Sequence, residues 1–254
     1  MTLSRLATAF ADAKAARRAL FLPEMLPGFP DEKSSLKAIE YAMSFDHVVC
    51  KAPTPTFANH PSNTNETLLN AHRTAIANGV SVGKVVDILS GYRPNFLVVY
   101  RNAVKEGAAQ FLESVGDGID GLIFVEGVGG DEAALELLGE GDLSTARLSE
   151  ESGVDIARIV YAGHEAGFDD AVAEARGFVY LAMSDQTGGS LRSVMQMKGA
   201  VDRIRWLSDI PVVAGFGIRT PDHVRHLVAD TGVASVPVGP RLCDSPLPVC
   251  ASLR

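Results

Sequence analysis

Eight short apolar runs punctuate the 254-residue chain, at residues 19–23, 47–50, 96–100, 121–125, 156–161, 177–182, 211–214 and 234–238, and helical patterns fill the stretches between them. Apolar runs alternating with helical patterns predict parallel strands joined by crossover helices. Eight such steps in a chain close to the usual length of about 250 residues predict an α/β fold, a single (β/α)8 barrel of the TIM type, as one domain over residues 1–254. The opening stretch, 3–16, reads as an amphipathic extra helix expected to cover the closed bottom of the barrel. No linker, repeat or low-complexity segment interrupts the series. The polar, proline-containing loop at 54–65 is of the kind that carries function.

The seventh and eighth runs end in glycine within PVVAGFGIRTPDHVRHLVADTGVASVPVGP, with a short helix between them. Glycine at a strand end lets backbone N–H groups approach an anion with no Cβ in the way, and a helix N-terminus adds about half a positive charge. Phosphate sites in such barrels commonly lie at these two strands. Gly215, Gly217 and Gly239 are therefore read as a phosphate cradle; the alternative is that they only form tight turns.

The balance of 23 basic against 31 acidic residues gives a net charge of -8. No Lys/Arg cluster follows a nucleic-acid backbone, so nucleic acid and anionic membranes are not expected partners. Cys50, Cys243 and Cys250 lack metal-ligand spacing, and the N-terminus carries no signal or membrane pattern, so the expectation is a reduced, cytoplasmic protein. His60 is the best acid or base candidate among the histidines by residue type. His164 lacks metal-ligand companions, and His223 and His226 fall on a helix surface. Neither a metal site nor a covalently attached cofactor is expected.

The order of motifs resembles the tryptophan synthase alpha subunit family. The matching pieces are PGFPD at 27–31, NAHRTAIANGVS at 70–81, VVYRN at 98–102, GFVYLAMSDQTGG at 177–189, PVVAGFGIRTPDHV at 211–224 and VPVG at 236–239. The resemblance implies cleavage of indole-3-glycerol phosphate to indole and glyceraldehyde 3-phosphate, a retro-aldol reaction. That chemistry needs an acid for the ring carbon and a base for the glycerol hydroxyl. The family uses a Glu at the end of the second strand and an Asp in the loop that follows. Here FDHVVCKAP puts Val49 at the Glu position, and TPTFANHPSNTNETLL contains no Asp.

Neighbouring residues point to a remodelled site. Lys51 shares the inward parity of Val49, and Glu24 stands after Pro23 where the family has an aromatic residue against the indole. Lys51 would form a Schiff base or hold an anion, with Glu24 as acid or base; alternatively the two make a structural ion pair. Tyr100 and Tyr180 match family site tyrosines, with core packing as the alternative. Glu126 stands where the family has an Asp that contacts its partner subunit, and is read as a contributor to catalysis or to that contact, or as solvated charge only. Gly188 and Gly189 lie beside Asp185 and Thr187 in the loop after strand six, which the family uses as a lid, and are read as phosphate donors. After Gly239, Pro240 removes one N–H donor and Arg241 is placed to replace it with a charged contact; the alternative is that the anion is different or absent and Arg241 is a surface side chain. The end of the chain is shorter than the final helix expected in the family.

Three functions fit these residues. One is a lyase of the family type with its acid and base reassigned. Another is a non-catalytic barrel that binds a phosphorylated ligand and regulates a beta-type partner. The last is a barrel recruited to specialised metabolism for a small phosphorylated carbonyl compound. The partner is a beta-type subunit or a second copy of the chain.

Overall fold

The structure is a computed structural model that describes residues 4–43, 48–51, 66–100, 107–125, 145–182, 194–215 and 221–238. Eight parallel strands form a closed barrel in chain order. They are β1 Leu20–Met25, β2 Val48–Lys51, β3 Asn95–Tyr100, β4 Gly121–Val125, β5 Asp155–Tyr161, β6 Val179–Ala182, β7 Val212–Gly215 and β8 Ser235–Val238. β8 returns to pair with β1, Leu20 opposite Ser235 and Leu22 opposite Pro237. The helices among the described residues are α1 Arg5–Ala15, α2 Glu32–Met43, α3 Glu66–Ala77, α4 Val82–Ser90, α5 Ala108–Val115, α6 Thr145–Ser152, α7 Phe168–Glu174, α8 Val194–Leu207 and α9 Pro221–Thr231.

The apolar runs are continuous because these strands are covered on both faces. Every residue of β3 is buried, and so are those of β6 and β7. One parity fills the barrel: Leu20, Leu22, Phe96, Val98, Tyr100, Ile123, Val125, Ala157, Phe178, Tyr180 and Val213 form one cluster. The other parity faces the helices. Leu97, Val99 and Leu122 pack with Ile39, Val85, Leu89 and Leu112 on one flank. Val179, Leu181, Val212 and Ala214 pack with Val172, Val201 and Leu227 on the other.

The expected N-terminal helix is present and closes the bottom. Ser4 caps α1, its hydroxyl accepting from the Ala7 N–H at 3.0 Å, an arrangement worth about 1 kcal/mol. Leu6, Phe10 and Ala13 face inward. A Cβ at Gly121 would come within 2.5 Å of Leu6 Cδ1, so the missing side chain at the start of β4 is what admits Leu6. Phe10 then meets Phe178 at 5.8 Å between ring centroids, and Phe178 meets Phe96 at 5.2 Å. Polar groups fasten this plug. The Ser4 hydroxyl donates to Asp155 at 2.5 Å, and Arg5 and Arg93 each reach Asp120 at 2.8 Å. The second Asp120 oxygen accepts from the Asn95 N–H at 2.9 Å.

Three strand ends differ from the sequence expectation, and each difference matters at the mouth. β1 continues through Pro23 to Met25, so Glu24 lies inside the strand instead of after it. A proline in a strand forfeits one ladder N–H and need not end the strand. β2 includes Lys51, and β7 ends on Gly215, which makes that glycine a strand residue and not part of a following turn. The shortened C-terminal end lies outside the described residues.

Candidate active site

In a (β/α)8 barrel the C-terminal ends of the strands carry the chemistry, and the inner parity decides which side chains reach it. Along β1 that parity runs Leu20, Leu22, Glu24. Glu24 is 9% exposed, a carboxylate set into the apolar inner wall one residue before the strand ends. Its Cα partner on β2 is Val49. Tyr100 closes β3, 2% exposed, and Tyr180 on β6 is 4% exposed. Tyr161 closes β5 on the same parity as Ala157 and Ile159.

These groups act on one another. Burial first, and then the charge of Glu24 with smaller contributions from Tyr100 and Tyr161, hold the Tyr180 hydroxyl well above the ordinary phenol range. Tyr180 therefore stays a neutral O–H at physiological pH, able to donate a hydrogen bond but unable to serve as a base. The structure thus brings Glu24, Tyr100 and Tyr180 to one neighbourhood, with both tyrosines part of the packed barrel interior.

Gly215 has a further role that its sequence position does not reveal. A Cβ there would stand 1.9 Å from Tyr180 Oη, 2.4 Å from its Cζ and 3.0 Å from Pro237 Cγ. The glycine makes room for the phenol; its phosphate role remains a separate proposal.

Sequence reasoning missed two residues. His72, inside the quoted NAHRTAIANGVS segment, is buried on α3 and meets Tyr100 edge-on, ring centroids 5.9 Å apart at 76°. The signal was present: Leu68, Leu69, Ala71, His72 and Ala75 fall on the buried face of one helix. Tyr161 reads as one more apolar strand residue until its parity is known. His164 folds back against it, ring centroids 5.9 Å apart, with the His164 N–H donating to the Tyr161 carbonyl at 3.1 Å.

The backbone of Lys51 pairs with Val98, but its side chain lies outside what is described, as do Glu126, Gly188, Gly189, Gly217, Gly239 and Arg241. His60, Asp185 and Thr187 lie outside it as well. His226 is exposed on α9 and His223 half-buried there. Among the described residues no group of three or more His, Cys, Asp or Glu is placed to hold a metal, and no helix is long and apolar enough to cross a membrane.

A family profile described as Tryptophan synthase alpha chain matches residues 10–245. The chain belongs to the tryptophan synthase alpha chain family. The alpha chain of Gluconacetobacter diazotrophicus is 29% identical over 255 residues, spanning 96% of this chain and 89% of that relative. That of Phenylobacterium zucineum is 27% identical over 256 residues, spanning 96% of this chain and 87% of its own length. Among solved structures, tryptophan synthase of Mycobacterium tuberculosis superposes with a TM-score of 0.79 at 23% identity, over 99% of this chain and 95% of that one. The alpha subunit of Legionella pneumophila gives 0.71 at 20% identity, over 96% of this chain and 88% of that one. These structural likenesses carry the fold, and the profile match carries the family.

Proposed function

We propose that this alpha-chain homologue is a carbon–carbon lyase of the retro-aldol type, acting on indole-3-glycerol phosphate or a related phosphorylated compound, with Glu24 as its acid/base group. The observation that carries this reading is the β1/β2 register. The resemblance assigns the family Glu to the position held here by Val49, and Glu24 is the Cα partner of that residue on the adjacent strand, about 4.8 Å away. A carboxylate is thus available one strand over, on the same inner wall.

One carboxyl group suffices for both proton steps. The protonated acid gives its proton to the carbon that leaves; the resulting carboxylate takes the proton of the neighbouring hydroxyl as the C–C bond breaks and a carbonyl forms. The electron pair of the broken bond remains with the protonated fragment, and the acid is regenerated. Tyr180, held neutral, offers a donor to the carboxylate form. Gly217, Gly239, Gly188, Gly189 and Arg241 remain proposed holders of the phosphate, together with the Gly215 N–H; Lys51 and Glu126 remain proposed catalytic contributors. A beta-type subunit or a second copy is the proposed partner, and the cytoplasm the proposed compartment.

A second reading is supported by the sequence lacking both family carboxylates: a barrel that binds a phosphorylated ligand and regulates a partner without turnover. Indole release from indole-3-glycerol phosphate, measured alone and with a tryptophan synthase beta subunit, separates the two. Turnover lost in Glu24→Gln supports the lyase. Absence of indole in both conditions rejects the family reaction, and ligand binding without turnover supports the regulatory reading.

A further inference from the structure

Beyond Glu24, β1 runs into a loop that is fastened from three sides. Gly28 in that loop takes φ +86°, and its N–H donates to the Ser35 hydroxyl on α2 at 2.9 Å, a buried bond. Its carbonyl accepts from Asn78 Nδ2 at 2.9 Å, and the same nitrogen donates to the Pro30 carbonyl at 3.1 Å. Val80 Cγ2 stands 2.4 Å from where a Cβ on Gly28 would be. Asn78 is itself fixed at the end of α3, its N–H on the Thr74 carbonyl, and the Val80 N–H returns to the Ala75 carbonyl. Leu26 and Phe29 of the loop pack on Ala71 and Ala75 of α3, and His72 between those two alanines meets the Tyr100 ring. The helix therefore ties the exit of β1 to the end of β3.

The ladder around Glu24 is thin where this fastening begins. Among the described residues, β1 pairs with β8 only as far as Pro23 opposite Val238, and with β2 only at Glu24 and Met25. Pro23 has no N–H to give, so the backbone at Glu24 is paired on one flank and follows a residue that donates nothing. Two directional bonds from one amide then fix the course of the loop more tightly than apolar packing does. We propose that Asn78 is a positioning residue for Glu24, holding the exit of β1 in the course that sets the carboxylate at the mouth; its effect on turnover rests on the lyase reading just given.

Indole release from indole-3-glycerol phosphate by the full chain tests this in wild type, Asn78→Ala, Glu24→Gln and the double variant, with Asp120→Ala as a control for lost stability alone. Asn78→Ala should lower kcat about tenfold with KM changed by less than about twofold, because a misplaced carboxylate costs rate more than binding. In the Glu24→Gln background the same change should have no further effect, and Asp120→Ala should leave kcat unchanged. A wild-type kcat in Asn78→Ala, or a further fall of about tenfold in the double variant, overturns the proposal. A second readout needs no turnover: the Tyr180 Cζ resonance of protein carrying carbon-labelled tyrosine, assigned with Tyr180→Phe. Glu24 acts on Tyr180 electrostatically, so Glu24→Gln and Asn78→Ala should move that resonance in the same direction, and Asp120→Ala should not move it. A resonance unmoved in Asn78→Ala overturns the positioning role. Absence of indole from wild type overturns the lyase reading instead, and the resonance then decides the role of Asn78 by itself.

Discussion

The two ends of the barrel use polar residues in opposite ways. At the bottom, Asp120 is gripped by Arg5 and Arg93 at 2.8 Å each and by the Asn95 N–H at 2.9 Å, while Asn95 accepts from the Asp120 N–H at 3.0 Å and donates to Leu89 O at 2.6 Å. The groups are committed to one another, and the result is a sealed floor beneath α1. At the mouth, a carboxylate is set near phenols, and the side chain at position 215 is given up so that one phenol fits. The floor holds the fold, and at the mouth Glu24 bears electrostatically on Tyr180. The lesson is that a buried carboxylate met by two arginines and a backbone N–H fastens a fold, so burial and polarity alone do not single out a site.

Substitutions that separate the ends sharpen this contrast. The largest effect is expected for Glu24→Gln, which should lower turnover by about 10²- to 10⁴-fold without lowering the urea midpoint, measured by product release and by denaturant unfolding. Asp120→Ala should do the reverse. Loss of a buried carboxylate with two arginine partners costs about 2–3 kcal/mol after allowing for the exposure of Arg5, with ligand affinity unchanged. Gly215→Ala crosses the divide, because its Cβ overlaps Tyr180. A loss of about 1–3 kcal/mol in denaturant unfolding is expected together with weakened ligand binding, and Tyr180→Leu in the same chain should recover at least half of the stability, since leucine lacks the Cζ and Oη atoms that clash.

The smallest effect concerns Asp155. Burial raises its carboxyl above the ordinary Asp value, the Ser4 hydroxyl pulls the other way and the charge of Asp120 adds to the rise. The folded state therefore holds this proton more tightly than the unfolded chain does. Its contribution to stability is present below the ordinary Asp range and is lost as pH rises through the raised value. Asp155→Asn should flatten that part of the stability curve while changing stability at neutral pH by less than about 1 kcal/mol. A slope that survives the substitution would assign it to another carboxyl.

The barrel was legible because its strands are buried on both faces and so read as unbroken apolar runs; all eight coincide with observed strands to within two residues. Glu24 drew notice through its place after Pro23, where the family has an aromatic residue, but its register with Val49 was not readable, because a position along one strand does not fix the neighbour across the ladder. Tyr161 and His72 were hidden for a different reason. An aromatic in a strand and a histidine on a buried helix face look like core, and only the packing of β5 beside β6 and of α3 under β3 brings them to the mouth. Gly215 shows the converse limit: a glycine reports that a side chain is missing, while the neighbour that fills the gap is set by two other strands.

The seam between β1 and β8 has a consequence for the order in which the molecule is made. The Ser235 hydroxyl donates to the Leu20 carbonyl at 2.7 Å across a separation of 215 residues, and α1 is fastened to Asp120 and Asp155 and packs on Phe178, all far along the chain. Contacts this distant in sequence form late, after the chain between them has been gathered in. Glu24 rides on β1, while Tyr180, which it acts on, lies on β6 and needs the space left at Gly215 beside Pro237. The site is therefore among the final parts of the molecule to exist, and a nascent chain interrupted before β7 would carry the carboxylate without the space that seats Tyr180.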